Sequence, residues 1–230
     1  MSQTILKPQK TIPILENGDR LTRFEFEERY EQMPHIKKAE LIEGIVYIGS
    51  PVRFNQHGKP HALIMTWLGI YWSATPGVTV GDNCTVRLDA DNEPQPDALL
   101  RITDNGKSII SKDDYVEGAP ELIVEISAST ASIDLHDKLK VYRRNQVQEY
   151  LVWRIYDGEF DWFRLREGKY IQLQPNEKGI ICSESFPGLW LDIAALLTGD
   201  LAQVSAILQE GLNSSEHKNF VKKLTTKSDS

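Results

Sequence analysis

Asp97, Glu125 and Lys138 are the residues of this chain best suited to do chemistry together. Pro96-Asp97 heads one apolar stretch, and Glu125 interrupts the apolar run Glu121-Leu-Ile-Val-Glu125-Ile-Ser127. Lys138 follows in Asp134-Leu-His-Asp-Lys138-Leu-Lys-Val-Tyr142. Two carboxylates can hold a divalent cation against a phosphodiester, where the ion activates water and neutralises charge building on the phosphorane oxygens. Hard oxygen ligands of this kind select Mg²⁺, with Mn²⁺ as a substitute, over zinc. A lysine beside them would orient the attacking water or stabilise a developing oxyanion.

Each residue also has a plainer reading. Period two puts Ile123, Glu125 and Ser127 on one face of a strand that is otherwise apolar on both, so Glu125 is a buried carboxylate in need of a cation or donors. It could equally cap a turn or pair with an arginine. On a helix turning about 100° per residue, Lys138 lies in the apolar stripe of Leu135, Leu139 and Tyr142, where its stem could also snorkel to water. Aspartate after proline often only terminates a turn, and Asp97 gains weight from its two companions.

The elements that must position these residues are legible as periodic text. Residues 22–30 predict a short helix with Thr22 and Glu25 spaced as a capping box. Residues 39–48 predict two short strands, or one bent at Gly44, and 61–73 a helix punctuated by Pro60 and Pro76-Gly77. Strand text covers 78–80, 85–88, 97–102 and 121–127, followed by a helix over 134–145 with Asp134 as its cap. Three strands over 149–155, 160–165 and 170–173 suggest an antiparallel hairpin edge, and 191–212 an amphipathic helix or helix pair. The expectation is an α/β domain over 21–212, between a flexible leader at 1–20 and a disordered, lysine-rich tail at 213–230.

With 230 residues, 40% of them hydrophobic, the chain suits one domain with a sizeable core. A net charge of −7 excludes a protein that coats nucleic acid by bulk electrostatics, so contact with a polyanion must be local. The run Lys138-Leu-Lys-Val-Tyr-Arg143-Arg144 offers such charge, or is simply a solvated helix face. Cys84 and Cys182 form neither a disulfide framework nor a zinc motif, and the five tryptophans lie in apolar segments that suit core packing. No apolar run spans a bilayer, no signal-peptide pattern occurs, and no elbow, P-loop or dinucleotide motif calls for an organic cofactor. The chain is expected to be cytoplasmic, with no membrane partner.

The residues above, taken in order with Glu40-Leu-Ile-Glu43-Gly44, Ser50-Pro51, His61, Gly118-Ala-Pro, Glu149-Tyr-Leu-Val-Trp153 and Phe186-Pro-Gly-Leu-Trp-Leu-Asp192, resemble the Uma2-like branch of the PD-(D/E)XK nuclease superfamily, abundant in cyanobacteria. The resemblance runs from about Leu41 to Leu197. It implies a restriction-endonuclease-like mixed β-sheet flanked by helices, and an Mg²⁺-dependent endonuclease acting on DNA, with a homodimer suited to double-strand cutting. By the same resemblance Asp97 and Glu125 are metal ligands, Glu43 is an additional ligand, and His61 stands near the site, with His57 competing for that role. The chain departs from the superfamily pattern at Ser127, where the lysine would stand, and Lys138 matches the displaced position used by similar branches. The alternative is a catalytically silent nuclease fold serving as a nucleic-acid-binding or regulatory module.

Overall fold

The computed structural model describes residues 12–128 and 130–228. Helix α1 (Arg23–Glu31) starts at the expected capping box, in which Thr22 and Glu25 satisfy each other's backbone amides. Strands β1 (Ala39–Ile42) and β2 (Ile45–Ile48) form a hairpin, with both turn residues, Glu43 and Gly44, at positive φ. A two-residue turn of that hand matches the twist of the paired strands. A π-helical turn (Phe54–Gly58) leads into α2 (Lys59–Ser73), whose buried Ile64, Trp67, Leu68 and Tyr71 follow the expected helical stripe.

Strands β3 (Val78–Asp82), β4 (Val86–Arg87), β5 (Ala98–Ile102), β6 (Ser108–Ile110), β7 (Val116–Gly118) and β8 (Leu122–Ser127) come next. A second π-helical turn (Ile133–Lys138) runs into α3 (Leu139–Arg144) and crosses over to β9 (Glu149–Arg154). β10 (Glu159–Arg166) and β11 (Lys169–Gln172) continue as the expected antiparallel edge. The chain closes with β12 (Ile180–Cys182), β13 (Trp190–Asp192), α4 (Ile193–Thr198), α5 (Leu201–Leu212) and α6 (Ser215–Ser228).

The central sheet has the order β11-β10-β9-β8-β5-β3 and is mixed: β8 and β9 are parallel, the other neighbours antiparallel. Alternation sends Leu122, Val124 and Ile126 of β8 into a core shared with α2 and α5, and Ile123 into a second core shared with Tyr142, Tyr150 and Val86. A smaller third core holds Phe26, Leu41 and Val46, and so docks α1 on the β1–β2 hairpin. Complete burial of a side chain such as Trp67 or Leu68 stabilises the fold by about 1.5–3 kcal/mol. Trp67, Trp153 and Trp162 are core residues as expected, whereas Trp72 is 47% exposed. No described helix is long and apolar enough to cross a membrane.

Two boundary expectations are corrected. The part of the leader within the described residues is docked: Leu15 is buried, and Gly18 and Val46 donate backbone hydrogen bonds to Val46 and Asp19. Residues 1–11 lie outside the described residues. The tail expected to be disordered forms α6, because His217, Phe220 and Leu224 recur at helical spacing and pack against the core despite the surrounding lysines. His217 is buried, with its ring nitrogens 3.0 Å from the Leu212 carbonyl and the Thr75 hydroxyl.

Glycine is required where α5 meets the segment before β13. A Cβ on Gly211 would lie 2.2 Å from the Gly188 carbonyl oxygen. Gly211→Ala is expected to lose about 1–3 kcal/mol in urea unfolding through overpacking, although alanine is the better helix former. Gly69→Ala in α2, where an added Cβ meets nothing within 4 Å, is expected to gain stability by roughly 0.5–1 kcal/mol.

Candidate active site

The pairing of β5 with β8 brings the two carboxylates together. Ala98 lies opposite Val124, so one further antiparallel step sets Asp97 opposite Glu125. Both project to the face of Ile123 and Leu99, away from the α2 side, and each is 3% exposed. They line a cavity of about 470 Å³ together with Lys38, Glu40, His57, Asp134 and Lys138.

Lys138 is the centre of the cluster. Its Nζ donates to Glu125 Oε1 at 2.9 Å and to Glu40 Oε1 at 2.8 Å, and Asp134 Oδ1 is 3.7 Å away. The Tyr142 hydroxyl donates to Glu125 Oε1 at 2.8 Å. Asp97 Oδ1 accepts from His57 Nε2 at 3.0 Å and Lys38 Nζ at 3.3 Å, and its Oδ2 accepts from the Ile126 amide at 2.7 Å. Oε2 of Glu40 and of Glu125 accept no hydrogen bond among the described residues and are not sealed from solvent, so both open toward the cavity.

The model of the Uma2 family, described as a putative restriction endonuclease, matches residues 25–194. The chain belongs to the Uma2 family. Among solved structures it is similar to a putative nuclease belonging to DUF820 from Anabaena variabilis ATCC 29413. That match has a TM-score of 0.57 at 11% identity, over 74% of this chain and 96% of that one. At such identity the likeness establishes the nuclease-like α/β fold, and Uma2 membership supports a nuclease-type function. No curated protein matches the chain.

The Uma2 chain's site differs from the sequence expectation at three places. Glu43 is at the tip of the β1–β2 turn with φ 52°, and its carboxylate pairs with Arg144 at 2.7 Å instead of entering the cavity. Glu40, on the face of β1 opposite Leu41, is the acid that the hairpin delivers. His61 sits behind Asp97, its Nε2 donating to the Asp97 backbone carbonyl at 3.1 Å and lying 3.0 Å from Asp82. His57 is the histidine on the Asp97 carboxylate, and the two rings stack with centroids 5.6 Å apart.

Asp134 does not cap its helix: it accepts from the hydroxyls of Ser127 and Thr130. Ser127, where the sequence resemblance leads one to expect a lysine, therefore positions the acid that flanks Lys138. The basic run is also largely committed. Lys138 is buried, Lys140 lies 3.3 Å from Asp137, and Arg144 pairs with Glu43 and Asp89. Lys38 had no signal in the sequence beyond its charge.

Four carboxylates, Glu40, Asp97, Glu125 and Asp134, face two ammonium groups, Lys38 and Lys138. Burial pushes Glu125 up to about 8; Lys138 opposes that shift, and the neighbouring Asp134, Asp97 and Glu40 add to it. Asp97 moves the other way: burial raises it, but the His57 hydrogen bond, the Lys38 charge and the Ile126 amide together hold it well below the usual carboxylate range. Burial disfavours the Lys138 charge, yet the carboxylates of Glu125, Glu40 and Asp134 outweigh it and keep the ammonium protonated. Among the described residues no group of three or more His, Cys, Asp or Glu is arranged to hold a metal ion.

Removing one partner of a buried ion pair strands the other charge. Lys138→Met is therefore expected to cost about 3–5 kcal/mol in urea unfolding. The Lys138→Met/Glu125→Gln double variant should recover part of that loss. A loss below about 1 kcal/mol, the range of solvent-exposed pairs, would show that the cluster is hydrated and weakly coupled.

Proposed function

We propose that this Uma2 protein is a divalent-metal-dependent endonuclease that hydrolyses DNA phosphodiester bonds. The observation that carries the proposal is the placement of Asp97 and Glu125 opposite each other in one recess, with Lys138 at 2.9 Å from Glu125 and an excess of carboxylates over ammonium groups. A divalent cation fits that excess and that oxygen-only donor set. Mg²⁺ in particular keeps several waters and binds through one or two carboxylates plus substrate phosphates, so it does not need three protein ligands. Asp97 and Glu125 would hold it, and when bound it would supply Lewis-acid activation of water and of the scissile phosphate.

The remaining roles belong to the chain. Lys138 keeps its ammonium between Glu125 and Glu40, where it can orient water or donate to a developing oxyanion. Tyr142 fixes the Glu125 rotamer from below, and His57 with the Ile126 amide fixes Asp97. A silent binding module is the second reading, and one observation favours it: both carboxylates already have lysine counter-ions.

Purified protein is expected to nick supercoiled DNA with Mg²⁺ or Mn²⁺ and not with EDTA. Asp97→Ala, Glu125→Ala and Lys138→Ala, checked for folding by circular dichroism, should each lower the rate by roughly 10²-fold or more, the scale for loss of one electrostatic stabiliser. Absence of cleavage on every substrate, with no Mn²⁺-induced rise in Tm, would move the assignment to the silent module.

Cation binding should also depend on pH in a stated sense. Burial raises the Glu125 carboxyl above the usual carboxylate range, so any proton it holds must leave before it can serve as a ligand. Mn²⁺ affinity is expected to rise with pH between 6 and 8, with proton release visible by calorimetry in two buffers of different ionisation enthalpy. Affinity that is flat between pH 6 and 8 would remove Glu125 from the ligand set.

A further inference from the structure

Beyond the carboxylate floor, the cavity has a rim of different chemistry. The segment after β2 and the turn after β9 converge there, and both present residues that the core does not use. Val52 is 69% and Tyr156 66% exposed, both lining the cavity, and Phe54, 74% exposed, follows in the same segment. Arg53, between Val52 and Phe54, lines the cavity; its carbonyl accepts from the amides of His57 and Gly58, and its guanidinium makes no ion pair or hydrogen bond among the described residues. Exposed apolar residues scattered singly need no explanation, but a ring with an open face beside an unpaired guanidinium at the mouth of a polar recess is an arrangement suited to binding.

The depth of the site restricts what can reach it. Asp97 and Glu125, each 3% exposed, line a cavity of about 470 Å³. Paired DNA, whose major groove alone is about 12 Å wide, cannot enter such a recess, whereas one splayed nucleotide can. The chain's net charge is −7, and most of its basic run is held in ion pairs, so a polyanion gains little from a broad basic face. Stacking of a base on an exposed ring, with one guanidinium on the adjacent phosphate, supplies affinity without such a face.

We infer that the substrate of this site is unpaired DNA, a single strand or a splayed-out nucleotide, with its base stacked on Tyr156 and its phosphate met by Arg53 at the rim. This rests on the nuclease reading above for the chemistry, but the binding it describes does not need cleavage. Phe54 and Val52 widen the apolar side of the rim. Glu43, Arg144 and the remainder of α3 take no part.

The test is fluorescence anisotropy with the full chain in EDTA, using labelled single-stranded oligonucleotides and the blunt duplexes made from them. Single strands are expected to bind at least tenfold tighter than duplex. Tyr156→Ala should weaken single-strand binding roughly tenfold or more, the effect of losing one base–aromatic stack. Tyr156→Phe, which keeps the ring, should bind like the parent, and Arg53→Gln should weaken binding and flatten its salt dependence. Equal binding of duplex and single strand, no binding of either, or a Tyr156→Ala variant that binds like the parent would overturn the inference. A cleavage assay on the same oligonucleotides with Mg²⁺ separates the two proposals. Equal cutting of duplex and single strand would overturn the substrate class and leave the nuclease standing. Selective single-strand binding without cutting would do the reverse.

Discussion

The cluster depends on one register, that of β5 against β8. Because strand side chains alternate, a slip of one residue would turn Glu125 into the apolar core under α2 and bring Val124 to the cavity. The cost of such a slip falls on several residues at once, since Leu122, Val124 and Ile126 would leave their core together with it. Hydrophobic burial on one face of β8 thereby fixes a charge arrangement on the other. The Ile126 amide adds a local lock by donating to Asp97 across the same pair of strands.

Three glutamates bracket this arrangement and show what distinguishes a structural acid from a reactive one. Glu149 is fully buried and accepts from Trp162, Ser183 and the amides of Glu184 and Ser185. Glu121 accepts from the amides of Ile102 and Lys107. Both acids are satisfied by neutral donors from neighbouring strands and loops, and they staple those loops to the sheet. Glu125 has instead one phenol and one ammonium, on a single oxygen, and its other oxygen opens to the cavity. A carboxylate left incompletely satisfied at the bottom of a recess is a group available to a ligand.

Much of this was legible in the sequence, for identifiable reasons. Period two in residues 121–127 separates Glu125 from its apolar neighbours, and helical period puts Lys138 beside Tyr142, because both elements are long enough for alternation to decide the face. The family resemblance points to Glu43 as a ligand, but turn chemistry decides where its side chain goes. A Glu-Gly pair at positive φ makes the hairpin tip, which points Glu43 outward and leaves Glu40, on the alternating face, to enter the site. Asp134 looked like a cap because helix starts favour aspartate, while its true partners come from a strand and a loop that no local pattern links to it. Composition suggests a disordered tail because lysines on its outer face mask the stripe of His217, Phe220 and Leu224.

The balance of charge also bears on the order in which ligands can arrive. Four carboxylates against two ammonium groups give the floor an excess of negative charge, which repels a phosphate brought in alone. On the proposed reading a divalent cation would reach the floor before the scissile phosphate or with it, whereas the rim can hold DNA without metal, and the ion's own charge would reverse the sign of the field that the phosphate meets at the floor. Lys38 and Lys138 cannot perform that reversal themselves, because each is already held by the acids around it. They offset the self-repulsion of the acids around them, and on the proposed reading they would be free to face a phosphate only to the extent that a cation took over their carboxylates. The same lysines that stabilise the fold without metal would in this way become available to the substrate when metal binds.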